Sequence, residues 1–498
     1  MNLKKTTQAL FLLFTTSFGF SQAEGSNFNS TGKGVSTTFA TDYQALGINP
    51  ANLGWTRRFE KKWLAFGAGE TSFSLESKLL NNQVIKDVRS FPLSFNVGNN
   101  HTYNEFATLS EDLQDGMRIN FDARLFGIAI TTKKLGGFAF SINEKYRMNL
   151  NLSKDFADIS THGFGAPYFD SLIVQKGSLT YSVLNNPTNF DSLQNDNTSN
   201  IIAGKATTPK SIPSLMNGTD FSISWIREFQ FGYGRKIIDL KALTIYGGIG
   251  VKYLQGMALF DLNTTATSVS GFASYSSTFQ DLKNGILSGG TAQLSLPKAA
   301  GTGYGIDLGV NIQMANKLKI GFAINDMGSI TWTKNTYSIS STATLDSLKT
   351  GGISATPSTS GTASFDSILN QLVDIQTTNV TKKVNLPTMM RLGASIQLGK
   401  VLEIGAEMVS PFNNNPGSFS NTIYSIGGDL KLGPLKLSAG AVLKENQILR
   451  IPVGIGFEPL SGTVEMGIST RDIKSLINFN TTENPMISLA FGFLRFRI

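Results

Sequence analysis

Few side chains here are suited to catalysis. The 498 residues include two histidines and no cysteine. His101 and His162 lack the spacing to other ligand residues that a metal site needs, so no metal and no cofactor is expected. There is no G-x-S-x-G elbow and no phosphate-binding loop. A Ser–His hydrolase would need an imidazole near a luminal or rim serine. His162, in Ser160-Thr161-His162-Gly163, is the better placed of the two. A loop histidine without chemistry is the simpler reading, so no catalytic residue is assigned and no enzyme is expected. What the chain does carry is charge at alternate positions of apolar stretches. Asp307, Arg391, Glu403 and Glu407 stand there, as do Asp429, Lys436, Glu465 and Arg471. Lys317, Lys319 and Lys431 join them. Such groups pair across an enclosed interior or line a polar path through it.

The elements that hold these charges are strands. Residues 386–398, 401–410, 422–432, 435–444, 448–458, 462–471 and 486–498 alternate apolar and polar side chains. Leu402, Ile404, Ala406 and Met408 share one face, while Glu403 and Glu407 share the other. Segments of ~9–11 residues with this period are long enough to cross a bilayer as tilted strands. A strand crosses lipid only within a closed barrel, because unpaired backbone groups are costly there. Upstream, 63–75, 117–132, 136–150, 220–235, 242–260, 304–314 and 317–332 repeat the pattern more loosely. Arg227 interrupts one of them, and a bulge near Trp225-Ile226 would restore its phase.

Composition agrees with a barrel. Charged residues are 16% of the chain, with 50 Gly and 35 Phe, and mean hydropathy is near zero. No run approaches the ~18 apolar residues of a membrane helix. Lys4 and Lys5 followed by the short apolar run 9–20 read as a secretory signal over 1–23. Without cysteine, the exported chain relies on its fold rather than disulfides. The net charge of +8 belongs to solvated loops or to outer-membrane lipid contacts. Export argues against nucleic acid.

Connections give the topology. Short turns at 133–135, 236–241, 315–316, 399–400, 433–434 and 459–461 alternate with longer links, three of them long: 151–219, 261–303 and 333–385. Outer-membrane barrels have short periplasmic turns and long external loops. Parity then extends seven strands to about 14, with about 12 or 16 as the neighbouring even counts. The run 91–97 breaks that parity and is assigned to the first external loop, with a helix near 105–114. Four loop units, at 169–172, 190–193, 345–348 and 365–368, place Asp-Ser after an apolar residue, and each is expected to open a short helix. Arg495 and Arg497 face the lumen or snorkel at the periplasmic interface, the second being the simpler reading.

Residues 24–62 precede the first strand. They contain Asn49-Pro50-Ala51-Asn52-Leu53 after Asp42. As a bare pattern this is a turn signal. Together with Gly32, Gly34, Asp42 and Ala45, however, it resembles the start of FadL-type outer-membrane transporters. Tyr43 and Gln44 replace the small residues usual after the Asp. That resemblance implies import of hydrophobic compounds through a barrel whose N-terminal hatch plugs the lumen. It places the hatch at Asp42, Asn49, Pro50, Ala51, Asn52 and Leu53. The C-terminal half more closely resembles an uncharacterised outer-membrane barrel family of Bacteroidota, through Leu386-Pro387-Thr388, Arg391-Leu392-Gly393-Ala394 and Phe491–Phe496. FadL-like barrels there also serve secreted and surface proteins.

The chain is therefore expected to be all-β: a transmembrane antiparallel barrel of about 14 strands at 63–498, with a luminal hatch at 24–62. It is expected in the outer membrane of a Gram-negative bacterium, taking up a small hydrophobic solute. The alternative is a non-transporting scaffold or shuttle with a secreted-protein partner.

Overall fold

A computed structural model describes residues 27–55, 63–80, 102–132, 134–240, 242–276, 298–315, 317–340, 380–413, 422–444, 448–478, 482 and 484–498. It is an all-β, 14-strand closed antiparallel barrel. In chain order the first strands are β1 (Leu64–Ala68 and Glu70–Ser77), β2 (Met117–Thr132), β3 (Gly136–Asn151) and β4 (Asp220–Asp239). Next come β5 (Leu243–Thr264), β6 (Val269–Tyr275 and Gly301–Met314), β7 (Leu318–Trp332 and Thr336–Ser340) and β8 (Lys382–Asn385 and Met389–Leu398). The last are β9 (Leu402–Pro411), β10 (Ile423–Leu432), β11 (Leu435–Leu443), β12 (Leu449–Arg450 and Val453–Phe457), β13 (Val464–Thr470) and β14 (Met486–Arg497). Closure is made by β14 pairing with both halves of β1. Phe66 lies opposite Phe496 and Phe73 opposite Leu489, and the Phe66 and Phe496 rings stack at 5.0 Å.

Alternation explains both faces. Along β6, Asp307, Gly309 and Asn311 are buried while Ile306, Leu308 and Val310 are exposed. Ile404, Ile426, Ile455, Ile468 and Phe493 continue an exposed apolar belt. A belt of this kind on a closed barrel faces lipid, which places the chain in the outer membrane. No described helix is long and apolar enough to cross a membrane.

Strand positions otherwise follow the sequence reading, and the bulge at Trp225/Ile226 is present. The expected loops 261–303 and 333–385, however, hold barrel strand at Val269–Tyr275, Thr336–Ser340 and Lys382–Asn385. These pieces extend the sheet by pairing with one another and with the long neighbouring strands. The expected helix is α2 (Tyr103–Gln114), opened by a Thr102–Glu105 capping box and following α1 (Phe28–Thr31). The run 91–97 lies outside the described residues. Other expectations need correction. Strand β1 breaks at Gly69, whose φ of 70° suits glycine. Ala65 is buried before the break, and Glu70, Ser72 and Ser74 after it, so the inward phase switches from odd to even. Lys317 is exposed at a hairpin rather than inward. The first Asp-Ser unit begins a strand at Ser171, and the second lies inside a helix. Their hydrophobic neighbours, Leu172 and Phe190, pack into one core, and that burial decides their conformation. The units at 345–348 and 365–368 lie outside the described residues.

An external unit sits between β3 and β4. It contains α3 (Lys154–His162), α4 (Pro187–Asn195) and a three-stranded sheet ordered 179–184, 171–176, 199–205. Phe156, Ile159, Phe169 and Met216 form one of its cores.

The apolar belt makes a depth-dependent prediction. Ile426→Arg, mid-strand, should lower unfolding stability in bilayers by about 2–4 kcal/mol, and Leu432→Arg at the hairpin by about 0–1. Denaturant titration in vesicles measures both; equal effects would contradict the assigned lipid face.

Candidate functional site

Residues 27–55 lie inside the barrel and are almost wholly buried. Their local shape comes from side chains that cap turns. Asn27 accepts from the Asn29 N–H at 2.9 Å and opens α1. Asn49 accepts from the Ala51 N–H at 3.1 Å, with Pro50 in the first position of a 3-10 turn. Asn52 donates to the carbonyls of Thr37 and Ala40, each at 2.9 Å, and folds the segment back on itself. Asp42 holds a φ of 48°, uncommon for a residue with a side chain. Its carboxylate receives Arg495 Nη2 at 2.5 Å.

The segment bonds to the wall around its circumference. Asn29 donates to Glu465 at 2.6 Å and accepts from Lys436 Nζ at 2.8 Å. Lys33 Nζ meets Asp429 at 2.7 Å. The backbone N–H groups of Ser36 and Thr37 donate to Glu407, which Arg391 grips at 2.8 Å. Tyr43 and Gln44 donate to Glu70 at 3.0 and 2.7 Å, and Arg124 holds the other oxygen of that carboxylate. Asn49 donates to the Val310 carbonyl, and Asn52 accepts from Asn311 at 2.7 Å. Trp55 lies beneath the Lys319 ammonium, 4.3 Å from its ring centre.

Wall glycines allow this close approach. A Cβ on Gly427 or Gly440 would stand 2.0 or 2.1 Å from the Lys33 carbonyl oxygen. One on Gly137 would meet the Leu53 carbonyl at 1.9 Å, and one on Gly248 the Ala51 nitrogen at 2.3 Å. Leu53 itself packs with Tyr43, Leu46, Ala129 and Ala139.

The residues singled out from sequence divide by position. Asp42, Asn49, Pro50, Ala51, Asn52 and Leu53 all lie in the buried segment. Of the wall charges, Arg391, Glu407, Asp429, Lys436 and Glu465 reach it or its immediate partners. Asp307 belongs to an adjoining network, with Lys252 at 2.9 Å and the Asp326 N–H at 2.8 Å. Glu403 pairs with Lys319 at 2.7 Å. Arg471 bonds Ser72 at 2.8 Å. Arg495 and Arg497 are buried inward rather than snorkelling. Glu465 binds Arg495, and Arg497 lies 3.6 Å from both Glu465 and Glu458. Glu70, Lys252 and Lys33 were missed. Lys252 shares the phase of Gly248 and Gly250 and was findable; Glu70 follows the phase switch at Gly69. Residues 24–26, 56–62, the signal region 1–23 and His101 lie outside the described residues.

His162 has no catalytic setting. Its ring packs against Tyr103 and Phe106, and its nitrogens face the carbonyls of Tyr103 and Asp158 and the Thr161 hydroxyl. No described cluster of His, Asp or Glu could hold a metal ion.

A family of unknown function, DUF5723, matches residues 188–426. No curated protein matches. Among solved structures, the chain is similar in fold to two toluene transporters and a FadL homologue. The Ralstonia pickettii toluene transporter TbuX aligns over 96% of this chain and 99% of its own, at 11% identity and a TM-score of 0.45. The Pseudomonas putida toluene transporter TodX covers 96% and 99%, at 10% and 0.40. A Pseudomonas aeruginosa FadL homologue covers 96% and 98%, at 11% and 0.39.

Two outcomes follow from this geometry. Gly427→Val should dislodge residues 27–55, exposing them to protease while the barrel keeps its compact mobility on unheated gels; continued protection would contradict the close seating. Burial holds the His162 imidazole below its ordinary range. Its unfolded form takes a proton near pH ~6.5, so the unfolded state binds more protons below that point. Stability of the external unit is then full above pH ~6.5 and declines as pH falls toward the folded value. Hydrogen-exchange protection factors in 154–205, corrected for the intrinsic rate at each pH, should fall at acid pH, and His162→Phe should remove that acid sensitivity.

Proposed function

We propose that the barrel admits a small hydrophobic solute from outside by diffusion and that residues 24–62 form a hatch that gates the lumen. One observation carries the reading. On the external side of the buried segment, the β5–β8 sector of the wall gathers apolar side chains: Leu254, Ile330, Trp332 and Leu386 cluster with Phe272 and Ala300, beside a charged group of Lys145, Glu228 and Asp326. An apolar cluster above a polar closure suits capture of an apolar molecule. The toluene transporters in the comparison agree with that cargo class without contributing to the argument. No enzymatic step is assigned.

The scaffold reading rests on a different feature. The outer strand 179–184 of the external sheet is an exposed edge carrying Leu179 and Leu184 on its surface, as a protein contact would.

Two measurements test uptake. Deleting residues 24–55 should raise conductance in planar bilayers; unchanged conductance would refute the gate. Trp332→Gln should slow entry of an apolar fluorescent dye into proteoliposomes severalfold while leaving ion conductance unaltered. Equal dye entry would overturn the apolar capture site.

A further inference from the structure

A cavity of about 450 Å³ lies at the short-turn end of the barrel, between the β8–β9, β10–β11 and β12–β13 hairpins. Gln397, Leu402, Glu403, Lys431, Glu458 and Leu460 are among its lining residues. It lies on the periplasmic side of the buried segment. Its inner limit is Asp429, the same carboxylate that holds Lys33.

We propose that this cavity is the exit vestibule of the path and that the Lys33–Asp429 pair is the latch closing it. The inference rests on the hatch reading and names the place where the hatch releases. Three features together suit this pair to the role. First, the Lys33 carbonyl is pressed against Gly427 and Gly440, so its backbone is seated while its four-carbon stem can swing. Second, release leaves no stranded charge on the wall. Lys436 Nζ already stands 3.5 Å from the same Asp429 oxygen, and Ser438 donates to the other at 2.7 Å. Third, a carboxylate with spare accepting capacity lies in the cavity. Glu458 pairs with Lys431 at 2.5 Å through one oxygen, while its Oε1 is buried without a hydrogen bond, 3.8 Å from Lys436. The Asp42–Arg495 contact differs on the first count, because Asp42 is fixed by an unusual backbone angle.

Phe39 completes the closure. Lys33 Nζ lies 4.8 Å from its ring centre, so a swing of the lysine uncovers an aromatic face toward the vestibule. An apolar solute leaving the hatch meets that face first and the charged vestibule second. The latch therefore couples passage of the solute to an exchange of lysines on Asp429, from Lys33 to Lys436.

The chain has no cysteine, so single-cysteine labelling is clean. Lys33→Met and Asp429→Asn should each raise apolar-dye flux and bilayer conductance severalfold, and the double variant should add little. The swap Lys33→Asp with Asp429→Lys should restore the closed level, which a folding defect would not do. Gln397→Cys, labelled by a bulky charged thiol reagent from the periplasmic side, should suppress dye flux in the Lys33→Met background. If deletion of residues 24–55 opens the barrel while the latch variants and the label change nothing, the exit lies elsewhere and this inference fails alone. If the deletion also changes nothing, the hatch reading fails with it.

Discussion

The structure depends on one constraint: a strand's backbone groups have no water to bond within lipid. Each unsatisfied group there costs several kcal/mol, so the sheet must close. Here closure falls on β1 and β14, and the two halves of β1 both pair with β14 across the break at Gly69. Once the sheet is closed, alternation assigns every second residue to an interior, and that interior must be filled or left wet. The chain fills it with its own N-terminal residues.

Filling a polar interior raises a second requirement. Buried charges need partners, and removing one partner of a buried pair costs about 3–5 kcal/mol. The wall's Asp429, Glu407, Glu465 and Glu70 all find donors in residues 27–55. The segment is therefore a member of the wall's charge network as well as an obstruction. Polar bonds hold it, and glycines admit it. Any movement must exchange these bonds rather than break them, which limits how much of it can shift during passage.

Much of the architecture was legible because period two is a local signal. Strands such as Met117–Thr132 are delimited by turn residues a few positions away. The Asn49-Pro50 cap was legible for the same reason, since Asn49 bonds its own backbone two residues on. Long-range pairing was not. Lys33 and Asp429 are 396 positions apart, and no local pattern marks Lys33 as a partner of β10. Glu70 was hidden by a backbone feature: a single glycine in a left-handed conformation reversed the inward phase of β1. Arg495 and Arg497 looked terminal and solvent-seeking until Glu465 and Glu458 were found facing them. In the external unit, the Asp-Ser units suggested helix caps, but burial of Leu172 and Phe190 overrode that local preference.

The central claim is that the buried N-terminal segment must move for solute to pass. A tether tests it directly, because a Cβ on Gly393 would lie 3.0 Å from Thr37 Cβ, close to disulfide range. With cysteines at Thr37 and Gly393, oxidation should form the bond and stop uptake of an apolar dye into proteoliposomes, and reduction should restore it. A bond that forms while uptake continues unchanged would contradict the account.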